Sequence, residues 1–275
     1  MKPGRFAVCQ ITSTDDRARN RRVASELVRR AAGHGAQVVC LPEMWPFIGP
    51  EHDKVAGAES LEGPSMSAMR DLAQELGIWL FPGSFAERAD DPTRVFNTAT
   101  ALAPDGGLRG VYRKLHLFDV DVPNGAVFTE SDTVQAGDQA VVVDTPFGRM
   151  GMSICYDVRF PMLYQSLRDA GADVILVPSA FTALTGKEHW ELLIRARAVE
   201  NQVYVVAAEQ WGQHNAARRS HGHSMIVDPW GHIVAQCSEQ EGVASTVTDP
   251  AYLAKVRQQV PCHGHKRPFE APSLV

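Results

Sequence analysis

Three reactive side chains stand where apolar runs of this sequence end. Glu43 follows Val38-Val39-Cys40-Leu41-Pro42. Lys114 alternates with apolar neighbours in Tyr112-Arg113-Lys114-Leu115-His116-Leu117-Phe118, a period that turns it inward if the segment is a strand. Cys155 sits in Gly151-Met152-Ser153-Ile154-Cys155-Tyr156-Asp157-Val158-Arg159-Phe160-Pro161, at the end of a strand and a few residues before a helix. Taken singly, each has a bland reading: a loop acid, a snorkelling edge-strand lysine and an inert half-buried thiol.

Taken together they make one chemistry. A strand-to-helix turn presents a nucleophile at a sheet rim and leaves backbone N–H groups free for an oxyanion. The dipoles at a helix start favour thiolate over thiol. Cys155 would attack an acyl carbon. Glu43 would take the thiol proton and return it to the leaving amine. Lys114 and the backbone N–H of Tyr156 would meet the developing oxyanion. Water activated by Glu43 would then hydrolyse the thioester. No metal or cofactor enters this scheme.

These groups need elements to hold them. Strands are expected at Phe6–Ile11, Val38–Leu41, Ile78–Phe85, Val95–Leu102 and Leu108–Lys114. The last two flank Pro104-Asp105-Gly106-Gly107, a hairpin signal. Helices are expected over Ala18–Ala32 and from Pro64 to about Leu76, with Pro64 in the first turn. Residues 119–138 are rich in Asp, Pro, Asn, Gly and Ser and read as the longest loop. The second half repeats the plan. Val141–Asp144 and Met150–Cys155 form a hairpin, Phe160–Ala170 a helix and Val174–Val177 a strand. Residues 187–200 form a helix on the stripe Trp190, Leu193, Ile194 and Ala198. Further strands are expected at Val203–Ala208, His223–Val227, His232–Ala235 and Val243–Val247. Hairpins mixed with βα units in two matching halves give an α/β layered sandwich rather than a doubly wound parallel sheet.

Composition bounds the rest. The 275 residues are 44% hydrophobic and 21% charged, enough apolar surface to offset the entropy of ordering. One domain over residues 1–275 is expected. A net charge of −5 argues against a general nucleic-acid partner. No apolar run is long enough for a signal-peptide core or a membrane span. Five cysteines with no C-x-x-C pair point to a reducing cytoplasm and not to a disulfide scaffold.

At Leu41-Pro42-Glu43, Arg113-Lys114-Leu115-His116-Leu117 and Ile154-Cys155-Tyr156-Asp157-Val158-Arg159-Phe160-Pro161 the sequence resembles the nitrilase superfamily of carbon–nitrogen hydrolases, which carry a Glu-Lys-Cys triad. The resemblance runs from Phe6 to about Pro268. It implies a four-layer αββα sandwich, a homodimer with the tail 261–275 at its interface, and a second glutamate before the cysteine strand. Glu130, in Phe128-Thr129-Glu130-Ser131, matches that position and would hold Lys114 and the substrate. Ser179-Ala180-Phe181, His189-Trp190-Glu191 and Arg195-Ala196-Arg197-Ala198-Val199-Glu200 resemble the ω-amidase and deaminated-glutathione-amidase branches. Gly222-His223-Ser224-Met225-Ile226-Val227-Asp228-Pro229-Trp230-Gly231 is closer to the second. The resemblance therefore implies hydrolysis of deaminated glutathione to 2-oxoglutarate and cysteinylglycine. The alternatives are 2-oxoglutaramate-type monoamides or N-carbamoyl amines. Both leading substrates carry a carboxylate, and Arg159 is a candidate partner for it.

Other readings stay open at this point. A scaffold on the same fold would not need four matched groups. A redox-sensing thiol would need a resolving cysteine near Cys155. A papain-like pair would need a histidine, but His189 reads as capping or packing its helix and His223 as a structural hydrogen-bonding group. Cys262, His263 and His265 lie too close together for a metal site without a fourth ligand, and read as a structural tail.

Overall fold

The computed structural model describes residues 1–121 and 127–270. Its first sheet has eight strands among the described residues. Gly4–Gln10 pairs parallel with Val38–Cys40, which pairs parallel with Trp79–Phe81. On the far edge of Gly4–Gln10 lies Gly242–Thr248, antiparallel. Val95–Leu102 receives Ser84–Arg88 and Leu108–Arg113 as antiparallel partners. The second sheet runs Val141–Thr145, Gly148–Met152, Val174–Leu176, Tyr204–Ala207, Met225–Val227 and Ile233–Gln236. Its three central strands from Gly148 to Ala207 are parallel and the rest antiparallel.

Side-chain alternation builds the layers. Along the first strand, Phe6 and Val8 face the second sheet and join the core around Met150, Met152, Val174 and Leu176. Ala7 and Cys9 face the other way, onto Val23, Leu27 and Val28 of helix Arg17–Gly33 and Met66, Met69 and Leu72 of helix Pro64–Leu76. The second sheet is covered by helices Pro161–Asp169 and Ala183–Asn201 through Tyr164, Leu167, Trp190 and Ile194. The result is helix, sheet, sheet, helix, the four-layer sandwich that the motifs implied. Each layer boundary removes a row of large apolar side chains from water, worth about 1.5–3 kcal/mol for each side chain fully buried.

The differences from expectation have local causes. Ile78–Phe85 is two strands, Trp79–Phe81 and Ser84–Arg88, because Pro82-Gly83 turns the chain between them. Gly83 has φ +60°, and a Cβ there would lie 1.9 Å from the carbonyl oxygen of Pro42. The stretch 119–138 is not one loop: Asp119–Asp121 pairs with Val127–Thr129, a 3₁₀ turn spans Glu130–Asp132, and Val134–Gln135 joins the first sheet. Residues 122–126 of that stretch lie outside the described residues, as do 271–275 of the tail. The helix expected at 187–200 starts at Ala183, where the Thr182 hydroxyl accepts from the Thr185 amide, so His189 lies inside it and does not open it. The strand before Cys155 stops at Met152, which leaves Cys155 in a 3₁₀ turn, Cys155–Arg159. Among the described residues, no helix is long and apolar enough to cross a membrane.

Gly83 lets the chain tuck under the segment that carries Glu43: the Ser84 amide donates to the Pro42 carbonyl at 3.3 Å and the Ser84 hydroxyl accepts from the Met44 amide at 3.0 Å. Gly83→Ala is therefore expected to cost about 3 kcal/mol or more, since it combines an unfavourable φ with a backbone clash. A thermal melt should show Tm lower by about 5 °C or more. A melt unchanged from that of the parent would show that the turn tolerates a side chain.

Candidate active site

The carboxyl ends of the parallel strands of both sheets converge on one cavity of about 470 Å³. Glu43 comes from the chain just beyond Val38–Cys40, Lys114 from the residue after Leu108–Arg113, and Cys155 from the turn beyond Gly148–Met152. Glu130 enters from the 3₁₀ turn Glu130–Asp132. All four line the cavity, as does Tyr156. The sequence motifs, far apart in the chain, thus meet in space.

At the centre is the Lys114 ammonium. It donates to Glu43 Oε1 at 3.1 Å and to both Glu130 oxygens, at 3.1 and 2.8 Å. The Lys114 side chain is only 2% exposed. Burial alone would strip its proton, but the two carboxylates outweigh that and hold its pKa well above the ordinary value. For Glu130 burial pushes upward, while Lys114, the Phe118 amide at 2.7 Å and Asn97 bring the carboxyl below its usual range. Asn97 Nδ2 spans both acids, donating to Glu43 at 2.8 Å and to Glu130 at 3.3 Å. The Gln210 side-chain amide donates to the Glu43 carbonyl at 3.0 Å and so fixes the backbone of that residue. All three donors of the ammonium go to carboxylates, so an oxyanion could reach Lys114 only by sharing them.

The turn that carries Cys155 is tied to the lysine's strand by Asp157, which is wholly buried. Asp157 Oδ2 accepts from the Ile154 amide at 2.8 Å and from the Tyr112 hydroxyl at 2.6 Å. Its Oδ1 accepts from the His116 amide at 3.1 Å and meets His116 Nδ1 at 2.8 Å. Tyr112 and His116 flank Lys114, so one carboxylate sets the distance between thiol and ammonium. Cys155 has φ +49°, a strained conformation for a residue with a side chain. Its thiol differs from expectation. Burial, then the charge of Glu43, raises its pKa well above the ordinary value, and Lys114 offsets this only in part. Loss of hydration outweighs any helix-start dipole, so the resting sulfur is a thiol and needs a base. Glu209 is a further buried acid in this neighbourhood. Neither of its carboxylate oxygens has a hydrogen bond, and burial, then the charge of Glu43, raises its pKa well above the usual carboxylate range.

Arg159 is placed differently from the other candidates. Its guanidinium meets His189 Nδ1 at 3.3 Å and lies over the rings of Tyr156 and Phe181, backing the cavity wall and not lining it. Among the described residues no histidine lines the cavity. His223 offers its carbonyl to the Trp190 indole at 3.0 Å, and His263 and Lys266 of the tail both meet Asp169. Asn97, Gln210, Asp157 as a fastener, and Arg218 in the cavity lining were not anticipated. Asp157 had a signal, since it lies inside the cysteine motif; the other three sit in segments with no distinctive spacing.

Comparison with known proteins follows the same lines. Residues 5–258 match the family model described as carbon-nitrogen hydrolase. The chain is 44% identical over 269 residues to a deaminated glutathione amidase of Synechocystis, covering 97% of this chain and 99% of that protein. It is 43% identical over 267 residues to the deaminated glutathione amidase of Homo sapiens, covering 95% of this chain and 82% of that protein. The crystal structure of the NitFhit protein of Caenorhabditis elegans superposes with a TM-score of 0.92 at 43% identity, covering 96% of this chain and 65% of that one. Sequence, layer order and structural likeness agree: the chain belongs to the carbon–nitrogen hydrolase family, the nitrilase superfamily, whose members hydrolyse C–N bonds other than peptide bonds.

Proposed function

We propose that this protein is a cysteine amidase that works through a thioester, with Glu43, Lys114, Cys155 and Glu130 as its catalytic groups. The observation that carries the reading is the buried Glu43–Lys114–Glu130 ion cluster bordering the same cavity as Cys155. The Cys155 sulfur attacks the amide carbon as its proton passes to Glu43. The carbonyl oxygen becomes an oxyanion facing Lys114 and the Tyr156 N–H. Glu43 returns the proton to the leaving nitrogen, the C–N bond breaks, and the acyl group stays on sulfur. Water then gives a proton to Glu43 and its hydroxide to the thioester carbon, which releases the acid and restores the thiol. A raised thiol pKa suits this order, because the sulfur is deprotonated only when substrate draws the proton to Glu43. Glu130 holds the ammonium in place, and Arg159 stiffens the wall through Tyr156 and Phe181.

The substrate best supported is deaminated glutathione, cleaved to 2-oxoglutarate and cysteinylglycine. That choice rests on the two amidases named above and on the strand segment from Gly222 to Gly231. We infer one catalytic domain over residues 1–275, assembled as a homodimer with the tail 261–275 at the interface. Exposed Leu184, Leu192 and Val199 on helix Ala183–Asn201, with Trp230 beside them, supply an apolar face for such a contact. Five free thiols suit a reducing compartment, and we place the protein in the cytoplasm.

Cys155→Ala is expected to lower turnover by about 10,000-fold while circular dichroism and Tm stay near those of the parent. Retained turnover would remove Cys155 from the chemistry. Lys114→Met leaves two buried carboxylates without their cation and should cost about 3–5 kcal/mol. The pH dependence should reverse as well. In the parent, the depressed Glu130 carboxyl contributes stability above the ordinary carboxylate range, and this is lost as pH falls below it. In Lys114→Met the same buried acid is raised, so Tm should rise as pH falls from about 8 to about 5. A Tm that falls over that range would show the acids are not held by Lys114. Finally, release of 2-oxoglutarate from deaminated glutathione should exceed ammonia release from 2-oxoglutaramate, a carbamoyl amine and a simple nitrile in kcat/KM. Preference for 2-oxoglutaramate would move the protein to the ω-amidase branch and leave the mechanism intact.

A further inference from the structure

The cavity beside Cys155 holds an excess of acid. Glu43, Glu51, Glu130 and Asp132 line it, against Lys54, Lys114 and Arg218. Two of those cations are already matched. Lys114 is shared by Glu43 and Glu130, and Lys54 meets Glu51 and the Thr133 hydroxyl. Arg218 makes no ion pair and no side-chain hydrogen bond with any described residue, although it is only half exposed. A negatively charged substrate entering this cavity meets one cation that is not already holding a carboxylate.

That arginine is firmly mounted. It lies at the tip of a hairpin, Trp211–Gln213 with Arg219–His221. Its amide donates to Asn215 Oδ1 at 3.0 Å, and its carbonyl accepts from the His214 amide at 2.9 Å. His214 is buried beneath the tip, which pushes its pKa down to about 4 and keeps it neutral. A neutral imidazole fits its two partners: Nδ1–H donates to the Ser13 carbonyl at 2.7 Å, and Nε2 accepts from the Ser220 hydroxyl at 2.9 Å. A bridge between Thr182 and Ser220 fastens the same strand to the cavity wall. A guanidinium carried on a held backbone, with its donors unused, suits bidentate recognition of a carboxylate.

We propose that Arg218 binds a carboxylate of the substrate and sets the preference of the site for anionic over neutral amides. This rests on the amidase reading for the identity of the substrate, whereas the binding of an anion at Arg218 is testable without turnover. The carboxylate could belong to the acyl part or to the leaving amine, and the two are separable by probe. In the Cys155→Ala protein, calorimetric titration with glutarate represents the acyl side and with cysteinylglycine the leaving side; neutral glutaramide is the control. Adding Arg218→Ala is expected to weaken at least one carboxylate probe by about 10- to 100-fold, with Arg218→Lys recovering part of the loss and glutaramide unchanged. The probe that loses affinity identifies the side. Equal affinity for both carboxylate probes with and without Arg218, or an equal loss for glutaramide, would overturn the assignment. With Cys155 intact, Arg218→Ala should raise KM for the matching substrate and change kcat by less than about 3-fold; a loss confined to kcat would also overturn it. Anion binding at Arg218 in a protein that hydrolyses none of the amides would keep this inference and remove the amidase reading.

Discussion

A single ammonium buried between two carboxylates is the constraint on which the site depends. Lys114 is what holds the buried Glu130 carboxyl below its usual range, and Lys114 keeps its proton at that depth because two carboxylates face it. The cluster has to be complete or it costs more than an apolar core would. Asn97, bonded to both acids, and the Phe118 amide complete it. Everything else in the fold that bears on catalysis brings Cys155 to this cluster and holds it there.

That positioning is carried by few contacts. Asp157 joins the turn of Cys155 to the residues on either side of Lys114, so the two sheets are registered at this cluster. Gly83 allows the chain to press against the carbonyl of Pro42, and Gln210 reaches across from the second sheet to the carbonyl of Glu43. The backbone strain at Cys155 fits the same picture, since a residue held at positive φ needs surroundings that over-determine it. Desolvation then makes the thiol a weak acid, and the neighbouring carboxylate becomes a necessary partner for it.

Much of this was legible in the sequence, and the pattern of what was not is physical. Glu43, Lys114 and Cys155 announce themselves because each interrupts an apolar run with a reactive group, and Glu130 follows from the family resemblance. Helix Pro64–Leu76 is bounded by Pro64 at its start and Gly77 in the left-handed conformation at its end, so local chemistry alone fixes it. The split at Pro82-Gly83 was hidden because the apolar residues on both sides read as one run. Asn97 sits in a strand where an amide resembles any polar residue, and its role exists only once Glu43 and Glu130 have been brought to it. Arg218 lies in a polar turn of ordinary composition, and only the packing of His214 gives that turn a fixed aim. The thiol's acidity was misjudged for a related reason: burial is a property of the finished tertiary structure, and here it outweighs the local dipole.

The pairing of Gly4–Gln10 with Gly242–Thr248 has a consequence for how the chain is made. Gly4–Gln10 has one of its two neighbours far along the chain and completes its pairing only after Gly242–Thr248 has been made. Until then its outer edge is unpaired, a row of free backbone groups open to other chains. Gln10, at the end of that strand, hydrogen-bonds the carbonyls of Ser238 and Gln240 and the amide of Ser224, and Ser13 just beyond it bonds the side chain of Gln210. The seat of Glu43 is thus closed by residues from segments far apart in the sequence. A chain cut before Gly242–Thr248 would hold Cys155 and Glu43 but lack the antiparallel neighbour of Gly4–Gln10.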